Sequence, residues 1–467
     1  MTTSTRSPNA GRITGPVTGG RHGRPFGAFL GDPGEQGYVE EEYFLSGDAR
    51  GFVPSGELGA DGRWSVTAAD SEPYTTRLLV RRPADPARFN GVVIAEWTNV
   101  TSGFELASDD LDLVYEEGFA HVAVSAQDIG VNGFAVDSKG LRDWDPERYG
   151  ELSHPGDSHS YDIFSQAVHL IGPNRGTLEI DPLGGLPVRR VIASGGSQSA
   201  MRLVTYANAI APLGHELDGI LATLYVGSAY TFTDARVDAS NLLNATPEEL
   251  QAILGTPTGI REDVAVPFFL LNTECECVTY ANVRQPDSAR FHYWEVTGAA
   301  HAPAPSTAEI GAKAARDFGE FALGEGMIDP NVVPNVIDWR PVEEAALRHL
   351  VRWIEDGTEP PVQAPIRLTD QGAVDRDADG NGRDGLRLPE LDAPIAGYDG
   401  GGVTPGTVGL SGQTSYFDEE RLRALYPDHE AYVAAVTRAV DRCIADGVLL
   451  PEHRDRYLES AAAADVP

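Results

Sequence analysis

The stretch Val191-Ile192-Ala193-Ser194-Gly195-Gly196-Ser197-Gln198-Ser199-Ala200-Met201-Arg202-Leu203 constrains the fold more than any other part of the chain. A β-branched apolar run feeds a Gly-x-Ser-x-Ser turn, and a helix-forming segment leaves it. A backbone that turns this sharply from strand to helix strains its central residue, so the flanking residues must be small. Gly195 and Ser199 meet that need, serine standing where a second glycine is usual. Such a turn exposes the Ser197 hydroxyl at the C-terminal edge of a parallel sheet, where a histidine can deprotonate it. In a chain this rich in Gly and Ser, on the order of one chance match to the string is expected. Gly156-Asp157-Ser158-His159-Ser160 is a second match, but it follows the polar, proline-broken Glu151-Leu152-Ser153-His154-Pro155. That segment is no strand, so context selects Ser197 over Ser158.

The surrounding pattern is β–α. Tyr38 to Phe44 and Tyr74 to Arg82 read as strands of an N-terminal antiparallel section. From Gly91 onward strands alternate with helices. The strands are Val92–Glu96, Val122–Ser125, Val188–Ala193, Leu217–Val226, Pro267–Asn272 and Arg290–Val296. The helices are Asp109–Glu117 with Ser108 as N-cap, Tyr161–Ile171 and Ala200–Ala211. Continuous apolar strands in this order predict a mostly parallel sheet with helices on both faces. Two insertions, about 127–160 and 229–263, leave on the side where the Ser197 turn opens and are expected to form lids or substrate walls; the second includes a capped helix at Thr246–Leu250. Residues 1–25 read as a flexible lead and 26–358 as the main domain. Residues 359–467 read as a C-terminal extension, irregular to about 415 and helical over Glu419–Val448 and Glu452–Ala464. Pro341–Asp356 is a helix with Arg348 and Arg352 as solvated charges.

Bulk properties exclude several classes. A formal charge of −34 repels nucleic acid and anionic membranes, so neither is expected as a partner. No run of about 18 apolar residues exists to span a membrane. Met1 to Gly23 has no apolar central region and does not read as a secretory signal, so a cytoplasmic location is expected. The three cysteines, Cys275, Cys277 and Cys443, form no disulfide framework, and Cys275-x-Cys277 lacks the companion ligands of a zinc site. No metal and no organic cofactor are expected.

A serine nucleophile needs a base and a group that orients the base. His301, in Glu295-Val296-Thr297-Gly298-Ala299-Ala300-His301-Ala302-Pro303, sits in a small-residue loop after the last strand and can fold back toward Ser197. The acid belongs in the loop after the preceding strand, which reads Asn272-Thr273-Glu274-Cys275-Glu276-Cys277. In α/β-hydrolases the acid often lies about nine residues beyond the proline that opens this strand, and counting from Pro267 gives Glu276. Glu274 serves if the turn is tighter, so both stay open, with Glu276 preferred. The oxyanion of an acyl-transfer intermediate needs two N–H donors. The Gln198 N–H supplies one, and aligning strand ends places the Thr98 N–H, in the loop Trp97-Thr98-Asn99-Val100-Thr101-Ser102-Gly103, as the other.

Gly15-Pro16-Val17-Thr18-Gly19-Gly20, Gly37-Tyr38-Val39-Glu40-Glu41-Glu42-Tyr43, Glu96-Trp97-Thr98-Asn99-Val100, Gly195-Gly196-Ser197-Gln198-Ser199 and Trp294-Glu295-Val296-Thr297-Gly298-Ala299-Ala300-His301 resemble a large bacterial α/β-hydrolase-domain family presumed to hydrolyse carboxylic esters. The resemblance runs from about Gly15 to Gly400 and places the nucleophile at Ser197 and the base at His301. It implies an α/β-hydrolase fold and a serine hydrolase acting on a small-molecule ester through an acyl-enzyme. Acyl transfer or amide cleavage on the same residues, and a catalytically silent binding module, are the alternatives. A homo-oligomer is compatible with the sequence.

Asp375-Arg376-Asp377-Ala378-Asp379-Gly380-Asn381-Gly382-Arg383-Asp384 copies the first half of a calcium loop, with oxygen ligands at the first, third and fifth positions and glycine at the sixth. The twelfth position is Leu386 instead of a bidentate Glu, and no helices flank the loop, so a solvated turn is expected in place of an extracellular calcium site.

Overall fold

Alternation along the central strands decides the layering. In Val92–Trp97, Val93, Ala95 and Trp97 enter one apolar cluster, while Val92 and Ile94 enter another on the opposite face. Phe268–Thr273 divides in the same way: Phe268 and Leu270 on one side, Phe269 and Leu271 on the other. Successive side chains of a strand point to opposite faces, so both faces of this sheet are covered. The computed structural model describes residues 11–106, 110–135, 138–214, 216–232, 256–319, 332–402 and 408–467.

The strands are β1 (Arg12–Thr14), β2 (Tyr38–Pro54), β3 (Val66–Pro83), β4 (Val92–Trp97), β5 (Ala120–Val124), β6 (Arg190–Gly196), β7 (Gly219–Thr223), β8 (Phe268–Thr273) and β9 (Phe291–Val296). They form one nine-stranded sheet in the order β1-β2-β3-β5-β4-β6-β7-β8-β9. From β5 to β9 every pairing is parallel; β1, β2 and β3 join antiparallel. The sheet is thus mostly parallel with an antiparallel N-terminal section, as the sequence pattern predicts. Chain order reverses between β4 and β6. In open α/β sheets a crevice forms at such a reversal, outside the carboxyl ends of the strands.

Helices Ser160–Ile171 and Gln198–Thr205 pack on one face. Helix Arg340–Asp356 packs on the other, together with helices His429–Ala445 and Arg454–Ala463 from the C-terminal region. Tyr432, Val436, Val440 and Tyr457 share that cluster with Trp294 and Leu350, so the C-terminal segment completes the cover of the sheet.

Several expected elements differ. The lead is not free from Arg12 onward: β1 pairs with β2, and the Arg148 guanidinium donates to Val17 O and Gly19 O at 2.9 and 2.7 Å. Residues 1–10 lie outside the described residues. The helix expected over Asp109–Glu117 is shorter, Asp112–Glu116, and its expected cap Ser108 lies outside the described residues. The helix after Ser197 widens at Tyr206–Ile210 into a π-type turn and ends in Ala211–Leu213. Glu419–Val448 splits into Glu419–Leu425 and His429–Ala445, because Asp428 caps a fresh N-terminus through the Ala431 N–H. Arg348 is not a solvated charge; it bridges Glu117 and Glu452 at 2.6 and 2.8 Å, and thereby ties two elements to its helix. The helix expected at Thr246–Leu250 lies outside the described residues. The described residues between 360 and 415 are largely irregular, apart from a short helix at Pro389–Asp392 and strand β10 (Ala396–Asp399), which pairs with β11 (Gln413–Tyr416).

Candidate active site

Strand β6 ends at Gly196, and helix Gln198–Thr205 starts one residue later. The joint residue, Ser197, has φ 59° and ψ −117°, a conformation costly for any residue with a Cβ. Two contacts enforce it: the Ser197 N–H donates to Thr223 O on β7 at 2.8 Å, and Ser197 O accepts from the Met201 N–H at 3.1 Å. A Cβ on Gly195 would lie 2.8 Å from Ser199 Cβ and one on Gly196 2.8 Å from Thr223 Oγ1, so both positions exclude side chains. Ser158 has none of these features. It precedes helix Ser160–Ile171, and its hydroxyl lies 3.1 Å from His159 Nδ1.

The candidate acid and base come from the segments that follow β8 and β9. His301 Nδ1 lies 2.7 Å from Glu276 Oε1. The other oxygen of Glu276 accepts from the Thr273 N–H at 2.9 Å and the Thr273 hydroxyl at 2.8 Å. Thr273 caps helix Glu274–Tyr280, and Glu276 is the third residue of a capping box that turns the carboxylate back to the strand end. Glu276 is fully buried, while 12% of the His301 side chain remains exposed, so the ring forms the wet boundary of the pair.

Glu274 has a different set of partners. Its Oε2 accepts from the Gly298 N–H at 2.8 Å, its Oε1 from the Gly400 N–H at 3.0 Å and from Arg376 at 2.6 Å, and its own N–H donates to Ala299 O at 3.2 Å. It links the end of β8, the loop that carries His301 and the C-terminal region. Burial raises its pKa, opposed chiefly by the Arg376 guanidinium.

Arg376 belongs to the calcium-like loop, whose carboxylates are already engaged. Asp379 pairs with Arg421 at 2.6 Å, Asp375 faces Arg367 and Arg383 at 3.7 and 3.8 Å, and Asp377 Oδ1 accepts the Asp379 and Asn381 N–H groups at 2.9 and 3.0 Å. A Cβ on Gly382 would lie 2.6 Å from Glu274 Oε2, so the loop is glycine-rich where it wraps this carboxylate.

The loop after β4 lies beside the elbow, since β4 and β6 pair in register with Glu96 opposite Ser194. The Gln198 side chain fastens it by accepting from the Val100 N–H at 3.1 Å. Thr98, expected as an oxyanion donor, directs both its N–H (3.4 Å) and its hydroxyl (2.9 Å) to Val124 O. Asn99, the next residue, donates from Nδ2 to Gly196 O at 3.1 Å and accepts the Thr101 N–H on Oδ1 at 2.8 Å. Trp97 is a packing residue, buried with its Nε1 donating to Gln127 Oε1 at 3.0 Å.

Arg202, one turn into the helix after Ser197, gave no signal in the sequence. It is fully buried, donates to Asp157 Oδ2 at 2.6 Å and lies 4.6 Å from the centroid of the Tyr230 ring. It therefore ties Asp157 of the first insertion and Tyr230 at the start of the second to the helix that follows Ser197.

The family model of the alpha/beta hydrolase domain matches residues 13–459, and the chain belongs to that family. No curated protein matches it. Among solved structures, esterase Est22 with p-nitrophenol is similar at 13% identity over 51% of this chain and 64% of that one, with a TM-score of 0.27. A cold-adapted esterase from an Arctic intertidal metagenomic library is similar at 12% identity over 55% and 84%, TM-score 0.26. Brefeldin A esterase, a bacterial homologue of human hormone sensitive lipase, is similar at 15% over 49% and 60%, TM-score 0.21. The chain thus spans a little under two thirds of Est22, and likenesses this distant decide nothing about substrate. No helix among the described residues is long and apolar enough to cross a membrane.

Proposed function

We propose that the protein is a serine hydrolase that cleaves small carboxylic esters. The observation that carries this reading is the 2.7 Å His301–Glu276 contact at the same sheet edge as Ser197, which sits on a left-handed strand-to-helix joint. Ser197 Oγ attacks the ester carbonyl and passes its proton to His301 Nε2. Glu276 holds Nδ1 protonated, which leaves Nε2 as the acceptor, and it stabilises the imidazolium that forms. The Gln198 N–H is one oxyanion donor. With the Thr98 N–H turned to Val124 O, the Asn99 N–H is the better second donor. The tetrahedral intermediate collapses, the C–O bond to the alcohol breaks, and His301 gives its proton to the departing alkoxide. His301 then takes a proton from water, which attacks the acyl-Ser197 ester; as the intermediate collapses the bond to Ser197 Oγ breaks, His301 returns the proton to Oγ and the acid is released. Glu274 and Arg376 shape the His301 loop without touching the reacting atoms.

A panel of p-nitrophenyl esters, run with wild type and Ser197→Ala and paired with fluorophosphonate labelling, tests the proposal. Ser197→Ala loses labelling and several powers of ten in rate, and Ser158→Ala keeps both. Near-normal turnover in Ser197→Ala refutes the assignment. A wild-type protein that neither labels nor hydrolyses any ester is a binding module on this fold.

A further inference from the structure

Cys275 lies between Glu274 and Glu276 in sequence. Among the described residues, Cys275, Glu276 and His301 form a group in which one ligand atom of each, a thiol sulfur, a carboxylate oxygen and an imidazole nitrogen, lies within 4.8 Å of the others. Cys277 is outside the group and faces Glu295 and Glu274. Sequence spacing shows Cys275-x-Cys277 without companion ligands; the fold brings His301 beside Cys275 and Glu276 from the loop after β9.

The geometry points to a site for a zinc-class divalent cation formed by Cys275 Sγ, a Glu276 oxygen and His301 Nδ1, which silences the enzyme when filled. Sulfur, nitrogen and carboxylate oxygen together are the donor set of tetrahedral zinc, with bonds of about 2.0–2.3 Å. Such bonds put ligand atoms about 3.3–3.8 Å apart. The 2.7 Å Nδ1–Oε1 contact must open slightly and the sulfur must draw in when a cation enters. Charge also balances: a dication with one thiolate and one carboxylate is neutral, which suits a buried place.

The consequence for catalysis follows from tautomers and rests on the proposed role of His301. A cation on Nδ1 needs that nitrogen's lone pair, so the imidazole proton moves to Nε2. Nε2 then donates and cannot accept the Ser197 proton. The acyl pocket is not filled, so inhibition lowers kcat and leaves KM unchanged.

The test uses the full chain with Zn²⁺ and Co²⁺. Wild type should lose activity in Zn²⁺ with KM constant and regain it with chelator. Cys275→Ser, which keeps a hydrogen-bond donor beside Glu276, should need roughly tenfold more Zn²⁺ or beyond for half-inhibition, measured against its own metal-free rate. Co²⁺ should give a thiolate-to-cobalt charge-transfer band in wild type and Ser197→Ala, and none in Cys275→Ser or Cys275→Ala. Equal zinc sensitivity in wild type and Cys275→Ser, or no cobalt band in wild type, overturns the inference. If the protein hydrolyses no ester, the cobalt band still decides the site, so failure of the esterase reading and failure of the metal site are separable.

Discussion

Replacing Glu276 by glutamine is the most discriminating perturbation, because the surroundings dictate which way the amide points. Thr273 aims two donors, its N–H and its hydroxyl, at one oxygen of residue 276. A glutamine meets them only with its carbonyl oxygen. Its NH2 group then faces His301 Nδ1 at the position now 2.7 Å away. An amide N–H pointing at Nδ1 requires Nδ1 to accept, so the ring proton resides on Nε2 and the base is lost. The amide swap of a triad acid that forces the wrong tautomer costs about ten-thousand-fold in kcat, or about 5 kcal/mol of barrier. Little change in KM is expected, since the pocket is untouched. Glu274→Gln removes a buried charge from Arg376, but Arg376 keeps Asp399 at 3.0 Å and is partly exposed. That variant should lose about 1–3 kcal/mol of stability and about tenfold or less in kcat. Steady-state hydrolysis of a p-nitrophenyl ester, with thermal melting of each variant, reads both effects. A severe kcat loss in Glu274→Gln with a normal Glu276→Gln refutes the tautomer reasoning while leaving Ser197 and His301 in place. Normal rates in both place the acid elsewhere.

Further outcomes follow from other parts of the molecule. Calcium should not raise the melting temperature, because arginines and backbone N–H groups already occupy Asp375, Asp377 and Asp379; a rise of many degrees that chelator reverses contradicts this. Burial pushes Glu390 up to about 7 from an ordinary 4.5, and its Oε2 has no hydrogen-bond partner among the described residues. A carboxyl raised on folding contributes stability below its unfolded value that is lost as pH climbs through about 7. Glu390→Gln should therefore gain up to about 3 kcal/mol over wild type at pH 8 and nothing near pH 4 in denaturant titrations; an equal difference at both pH values contradicts the titration.

The elbow was legible because its constraint is local. A strand, a residue with φ 59° and a helix must follow one another, and each leaves a mark on neighbouring residues: apolar Val191–Ala193, bare Gly195 and Gly196, small Ser199. The sheet was legible for the same reason, since strands buried on both faces are apolar throughout. The Thr98 N–H contact is not legible, because β5 presents Val124 O to it, a partner distant in sequence that an alignment of strand ends does not show. The fixed lead was invisible likewise: what holds residues 17 and 19 is Arg148, which lies in the first insertion.

The choice between the two glutamates is the instructive case, since spacing from Pro267 was not the strongest signal in the segment. Thr273-Glu274-Cys275-Glu276 is also a capping box, in which threonine bonds the first turn of a helix and the glutamate three residues on reaches back to the threonine N–H. A helix that starts at Glu274 directs the Glu276 carboxylate toward the end of β8. Glu274, the first helical residue, reaches instead toward Gly298 and Gly400. The cap thus does two jobs with one carboxylate: Oε2 terminates the helix and Oε1 orients His301. Thr273→Val, which removes the hydroxyl but keeps its bulk, leaves Oε2 with the backbone donor alone and frees the glutamate to rotate. The geometry of Glu276 is therefore set by helix capping as much as by its contact with His301, and a folding rule legible in four residues places a group whose proposed use is chemical.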